Sequence, residues 1–188
     1  MKFAVFACFL FTSAGLMGQT APSNGVSSEW DVRKLLEGLD LQTQHVKRII
    51  EQVSPETWLA NGAPQTYATQ WKTGQTELMY LLSSSDALAR QPERLTLALD
   101  TFFRMQAMES TFGSVIEGIR KYQNPALADL VQAVVAENST NRDRLRQYIM
   151  DLAAQKEQEF KVVDREAQRC REVMLHQGPP QEKRPVKK

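Results

Sequence analysis

From Ala126 to Gln177 no glycine or proline interrupts the chain. Little but helix tolerates so long a run without punctuation, and at 1.5 Å per residue it extends to roughly 80 Å. That length constrains everything else. A helix this long cannot be covered by partners of ordinary length, so part of it either projects from the fold or bends back onto it.

The remaining chain is patterned in the same period. Val32, Leu35, Leu36, Leu39, Thr43, Val46, Ile50 and Val53 recur at three- and four-residue steps, the stripe of an amphipathic helix over about 29–53. Ser28 and Asp31 resemble a capping box at its start. Ser54-Pro55 stops it, and 54–64 reads as a connector holding one short helical turn, ended by Asn61-Gly62. A second helix is expected over about 64–90, with Tyr67, Trp71, Gly74, Leu78, Leu81 and Leu88 on its stripe. A third is expected over about 92–122, opening on Pro92 at its first position. Its stripe holds Leu95, Ala98, Leu99, Phe102, Met105, Glu109, Phe112, Ile116 and Ile119. Asn124-Pro125 pairs an N-cap residue with a first-position proline and opens the fourth, about 125–177. Gly178-Pro179-Pro180 ends it. No segment alternates with the period of two that a half-buried strand needs. The expected fold is all-α: an antiparallel up-down four-helix bundle with an over-long C-terminal helix.

Folding the last hairpin about Asn124 sets Leu95 opposite Leu152 and leaves everything after about Gln155 beyond the third helix. That extension keeps a sparse stripe of Phe160, Val163, Ala167, Cys170 and Met174 among dense charges. The spacing is that of a coiled-coil seam. The same register arithmetic places Thr43, Gly74, Glu109 and Asn138 at one level, with Asn141 and Arg142 a turn away. The plain expectation is a hydrogen-bonded polar layer that sets register, or an Arg142–Glu109 pair at the edge of the stripe. The sharper one is a small cavity beside Gly74 with Glu109 as ligand or proton acceptor.

The first eighteen residues, MKFAVFACFLFTSAGLMG, have the layout of a secretory signal peptide. Lys2 precedes an uncharged apolar run from Phe3 to Phe11, and that run is too short to span a bilayer. Cleavage after Gly18 is expected, and Cys8 lacks the small residues before it that lipid attachment needs. Residues 19–28, QTAPSNGVSS, form a polar leader expected to be flexible. No later stretch is apolar enough to cross a membrane, and the expected location is periplasmic or extracellular.

Processing matters for the charge count. The whole chain has 23 basic and 22 acidic residues. Removing 1–18 takes only Lys2 among them and leaves 22 against 22. A globally basic nucleic-acid binder is excluded by that balance. The last eleven residues, GPPQEKRPVKK, carry a local excess of +3 and are expected to be a disordered basic tail. Four charges with no aromatic among them make a weak contact to an anionic surface at most. Cys170 is the one cysteine left after processing, so no intrachain disulfide is expected.

No catalytic, cofactor-binding or metal constellation emerges. His45 and His176 are too few and too far apart, and neither has Glu three residues before it, as the bundle di-metal signature requires. Haem-attachment, phosphate-loop, dinucleotide, nucleophile-elbow and zinc-protease signatures are all lacking. Asn138-Ser139-Thr140 spells a glycosylation sequon on a core-facing stripe, where a glycan would be blocked. Trp30, Trp58 and Trp71 read as core and end-cap residues, with Trp58 at the bundle end of Tyr122.

Two stretches, RKYQNPALADL (120–130) and AENSTNRDRLRQYIMDLAAQKE (136–157), resemble uncharacterised secreted helical proteins of bacteria. The resemblance implies export and a helical bundle, and no activity. The functional expectation is an exported, non-enzymatic bundle acting through contact with a protein partner or a second copy. The preferred surface is the Phe160–Met174 stripe. A small-molecule or lipid carrier with an intra-bundle cavity near Glu109 is the second reading, and an enzyme of unknown type a remote third.

Overall fold

The computed structural model describes residues 29–176. The stretches expected to be a signal peptide (1–18), a leader (19–28) and a basic tail (178–188) lie outside the described residues. Five helices follow in order: α1 (Glu29–Ile50), α2 (Pro55–Ala60), α3 (Gln65–Arg90), α4 (Leu95–Tyr122) and α5 (Pro125–His176). The described residues contain no strand, and the helices pack into an all-α bundle.

The helix ends follow local chemistry. α1 closes three residues before the expected Val53, because Gln52 and Val53 donate back to Ile49 and Ile50 and tighten the last turn. The 54–64 connector holds more than a loose turn. Pro55 opens α2, and Gly62 adopts φ +82° just past its end. Gly62 N–H then donates to Leu59 O at 3.1 Å and Ala63 N–H to Trp58 O at 2.9 Å. This is the glycine-closed helix end that side chains with a Cβ resist. α4 begins at Leu95 with Arg94 as its cap, so Pro92 is not its first residue. Pro92 is instead buried in the turn, and its carbonyl accepts from the Tyr148 hydroxyl of α5. Helical bonding begins instead at Arg94, whose carbonyl accepts from Leu97 and Ala98 N–H at 3.0 and 3.2 Å. At α5, Asn124 Oδ1 accepts from Ala126 N–H at 2.9 Å, the cap expected of Asn-Pro.

Contacts between neighbours run in opposite chain directions. Arg142 of α5 meets Glu109 of α4, and further along Arg120 of α4 meets Asp129 of α5. Gly74 of α3 lies against Phe112 of α4, and Tyr67 against Gly118. Gly38 of α1 lies by Asn141 of α5, and Gln42 by Val134. Leu36, Leu39, Leu78, Leu81, Leu88, Met105, Met108, Phe112, Ile119 and Leu145 fill the centre at under 2% exposure. The core ends on α5 at Leu152. From Glu157 to His176 every residue is exposed, so the extension has no cover within the described bundle.

Candidate functional site

Thr43, Gly74, Glu109 and Asn138 do not form a connected polar layer. Thr43 is fully buried, but its hydroxyl donates to Leu39 O of its own helix at 2.7 Å. Such back-bonding satisfies the group without crossing the bundle. Asn138 is also fully buried, and neither amide atom has a partner among the described residues. Glu109 sits at the rim. Arg142 Nη1 donates to its Oε2 at 2.6 Å, with the two side chains 33% and 21% exposed. Half-wet ion pairs of this kind contribute about 1 kcal/mol or less. The arrangement therefore matches the stripe-edge pair and not the hydrogen-bonded layer.

Nor does Gly74 open a cavity. A Cβ there would lie 3.4 Å from Phe112 Cε2 and 3.7 Å from the Thr111 methyl carbon. The missing side chain is replaced by the Phe112 ring. An open groove of about 490 Å³ lies elsewhere, between α1 and α5, against Val32, Leu35, Gly38, Asn141, Arg144 and Tyr148. Glu109 is not part of it.

The orphaned amide of Asn138 makes a prediction. A buried polar group without a partner costs about 1–3 kcal/mol. Replacing Asn138 with leucine is expected to raise unfolding stability by about 1 kcal/mol or more, measured by urea denaturation. A loss of stability would mean that the amide is bonded in solution, for instance to an internal water.

Sequence reading overlooked two glutamines. Gln42 Nε2 reaches from α1 to Val134 O at 3.2 Å and to the Glu137 carboxylate. Gln123, in the α4–α5 turn, is the hub of one bundle end. Its Oε1 accepts from Trp58 Nε1 at 2.9 Å and from Ser54 N–H at 3.1 Å, and its Nε2 donates to Gln52 O at 3.0 Å. Only the neighbouring Asn-Pro boundary hinted at this position. Trp58 is fully buried under it. Tyr122 packs edge-on against Tyr67 with centroids 5.7 Å apart, so its aromatic neighbour is Tyr67.

The stripe of the α5 extension is open along its length. Phe160, Val163 and Met174 are 72%, 65% and 73% exposed, and the Cys170 thiol is free and exposed. Beside them lie Val162, Val173 and Leu175, also exposed. The helix holds itself with local pairs. Gln155 and Lys156 donate to Glu159 at 2.7 and 3.0 Å, which keeps that carboxyl below its ordinary range. Gln168 donates to Asp164, and Arg169 pairs with Glu166, each at 3.0 Å. Arg171 has no partner among the described residues. Pairs of this kind add a few tenths of a kcal/mol each to an exposed helix. They do not cover its apolar stripe.

Among the described residues, no cluster of three or more His, Cys, Asp or Glu is placed to hold a metal ion. No described helix is long and apolar enough to cross a membrane. The class defined by these features is an all-α bundle whose last helix runs far beyond its core. No protein-family model, curated protein sequence or solved structure matches the chain.

Proposed function

We propose that the protein is an exported, non-enzymatic helical bundle that binds a protein partner through the exposed stripe of the α5 extension. One observation carries this reading. A helix continues for twenty-four residues past its last buried core residue, Leu152, and keeps apolar side chains at regular steps in solvent. Single exposed apolar residues are ordinary, but a contiguous run of them marks an interaction surface. Most helical stability in proteins comes from packing an apolar face, and a partner along the stripe supplies that packing to the extension. The carrier reading draws no support from Glu109, which Arg142 engages, or from Gly74, which faces the Phe112 ring.

Export follows from the N-terminal layout and is tested by fractionation with N-terminal sequencing. The expected result is a processed chain starting at Gln19 in the periplasmic or extracellular fraction. Retention of Met1 in the cytosol contradicts it. The contact surface is tested by affinity capture from envelope extract with the wild type and with a Phe160→Ser, Val163→Ser, Met174→Ser triple variant. These side chains are exposed and lie past the last buried core residue, so the bundle keeps its fold. The stripe reading expects captured protein with the wild type alone. Equal recovery from both baits removes the stripe from the function.

A further inference from the structure

The exposed stripe is not a new face of α5. Leu145, Ile149, Leu152, Lys156, Phe160, Val163, Ala167, Cys170 and Met174 follow one another at steps of three or four residues. On a helix of 3.6 residues per turn they share one side. Leu145, Ile149 and Leu152 use that side to pack into the bundle, whereas Phe160 onward is bare. The extension therefore carries a core stripe onward with the rest of the core missing.

We infer that the missing cover is a second copy of this chain, joined antiparallel along the stripe. The inference rests on the proposed use of the stripe as a contact surface and adds the identity and direction of the partner.

Direction follows from shape and charge. In a parallel, in-register pair both bundle bodies would sit on the shared face and collide, because the body packs on the same side of α5 as the stripe. That pairing also sets Glu159 beside Asp164 of the second copy and Lys156 against its own equivalent, with Glu166 beside Arg171 as its one opposite-charge flanking contact. An antiparallel pair avoids the collision and both like-charge contacts. Setting Ala167 beside Cys170 of the second copy also sets Val163 beside its Met174. The flanking Asp164 then meets Arg171 of the second copy, and two-fold symmetry repeats each contact. No like-charged flanking pair remains in this register. It gives a partner to Arg171, which has none among the described residues. His176 comes opposite Lys161 of the second copy, roughly 13 Å short of Leu152 of that copy. The two bodies stay at opposite ends.

Sedimentation velocity and light scattering on the purified protein test this up to millimolar concentration, with helicity checked by circular dichroism. A concentration-dependent dimer is expected. Arg171→Glu and Asp164→Arg each turn two opposite-charge contacts into like-charge ones, and each is expected to raise the dimer dissociation constant about tenfold. The double variant D164R/R171E restores the pairing with signs reversed and is expected to return to within about threefold of the wild type. A parallel pair responds differently, since D164R there places an arginine beside Glu159 and tightens it. Tightening by D164R overturns the antiparallel direction. Failure of the double variant to recover overturns the Asp164–Arg171 contact. A strictly monomeric wild type overturns self-association altogether, and it leaves the stripe as a contact surface standing if the Ser variant still loses partner capture.

Discussion

Trp58→Ala is expected to lower unfolding stability by about 3–5 kcal/mol, the range for removing a large buried aromatic. Trp58 is fully buried at the end of the bundle where α2 caps α3 and α4. Its ring lies so close to α4 that a Cβ on Gly118 would stand 3.0 Å from Trp58 Cζ3. Its Nε1 also donates to Gln123 Oε1, so truncation opens a void and removes one of the two donors to that oxygen, leaving Ser54 N–H. For a chain of this size the loss corresponds to roughly 10 °C in Tm. Thermal and urea unfolding measure it. The hydrogen bond is isolated by a double-mutant cycle with Gln123→Ala. The glutamine substitution is expected to cost less in the W58A background than in the wild type, because the indole contact is already gone. A total loss below about 1 kcal/mol would contradict the structural role given to Trp58.

Phe112→Ala is expected to lower stability by a similar amount, about 3–5 kcal/mol. Phe112 is fully buried in the core, at 0% solvent accessibility. Its ring fills the space that Gly74 leaves on the facing helix. The complementarity of the pair supplies a control. Gly74→Ala in the F112A background places a methyl group where the ring was and removes a mid-helix glycine. It is expected to recover about 1 kcal/mol. In the wild type the same change gains less, since its Cβ meets Phe112 Cε2 at 3.4 Å. Denaturation midpoints of the three variants decide this. A neutral F112A would mean that the region is not packed in solution and would reopen the cavity reading near Glu109.

The legible and illegible parts of this protein divide by range. The helical segments came from periodicity and from breakers, both of which act within a few residues. Asn124-Pro125 marked the start of α5 because a cap and a proline are local events. The end of α1 at Ile50 was not legible, since Val53 keeps the apolar period while the backbone has already turned. Pro92 reads as a helix start, but it is buried in the preceding turn, where its carbonyl meets the Tyr148 hydroxyl, 56 residues away. Register arithmetic brought Glu109 near Arg142 correctly. It could not tell a hydrogen-bonded layer from a rim pair, because a one-residue slip turns a side chain by about 100°.

What the sequence determined on its own was the helical class, the uninterrupted length of α5 and the stripe that runs along it. These depend on composition, spacing and punctuation, and each is a property of a short window. Only the tertiary structure decided that the stripe of the extension is the same side that Leu145, Ile149 and Leu152 bury, and that the core stops at Leu152. It alone made Gln123 a hub and left Asn138 without a partner among the described residues. The reason is physical. Whether an apolar or polar side chain is covered depends on which distant helix lies across from it, and that is set by packing the whole chain at once.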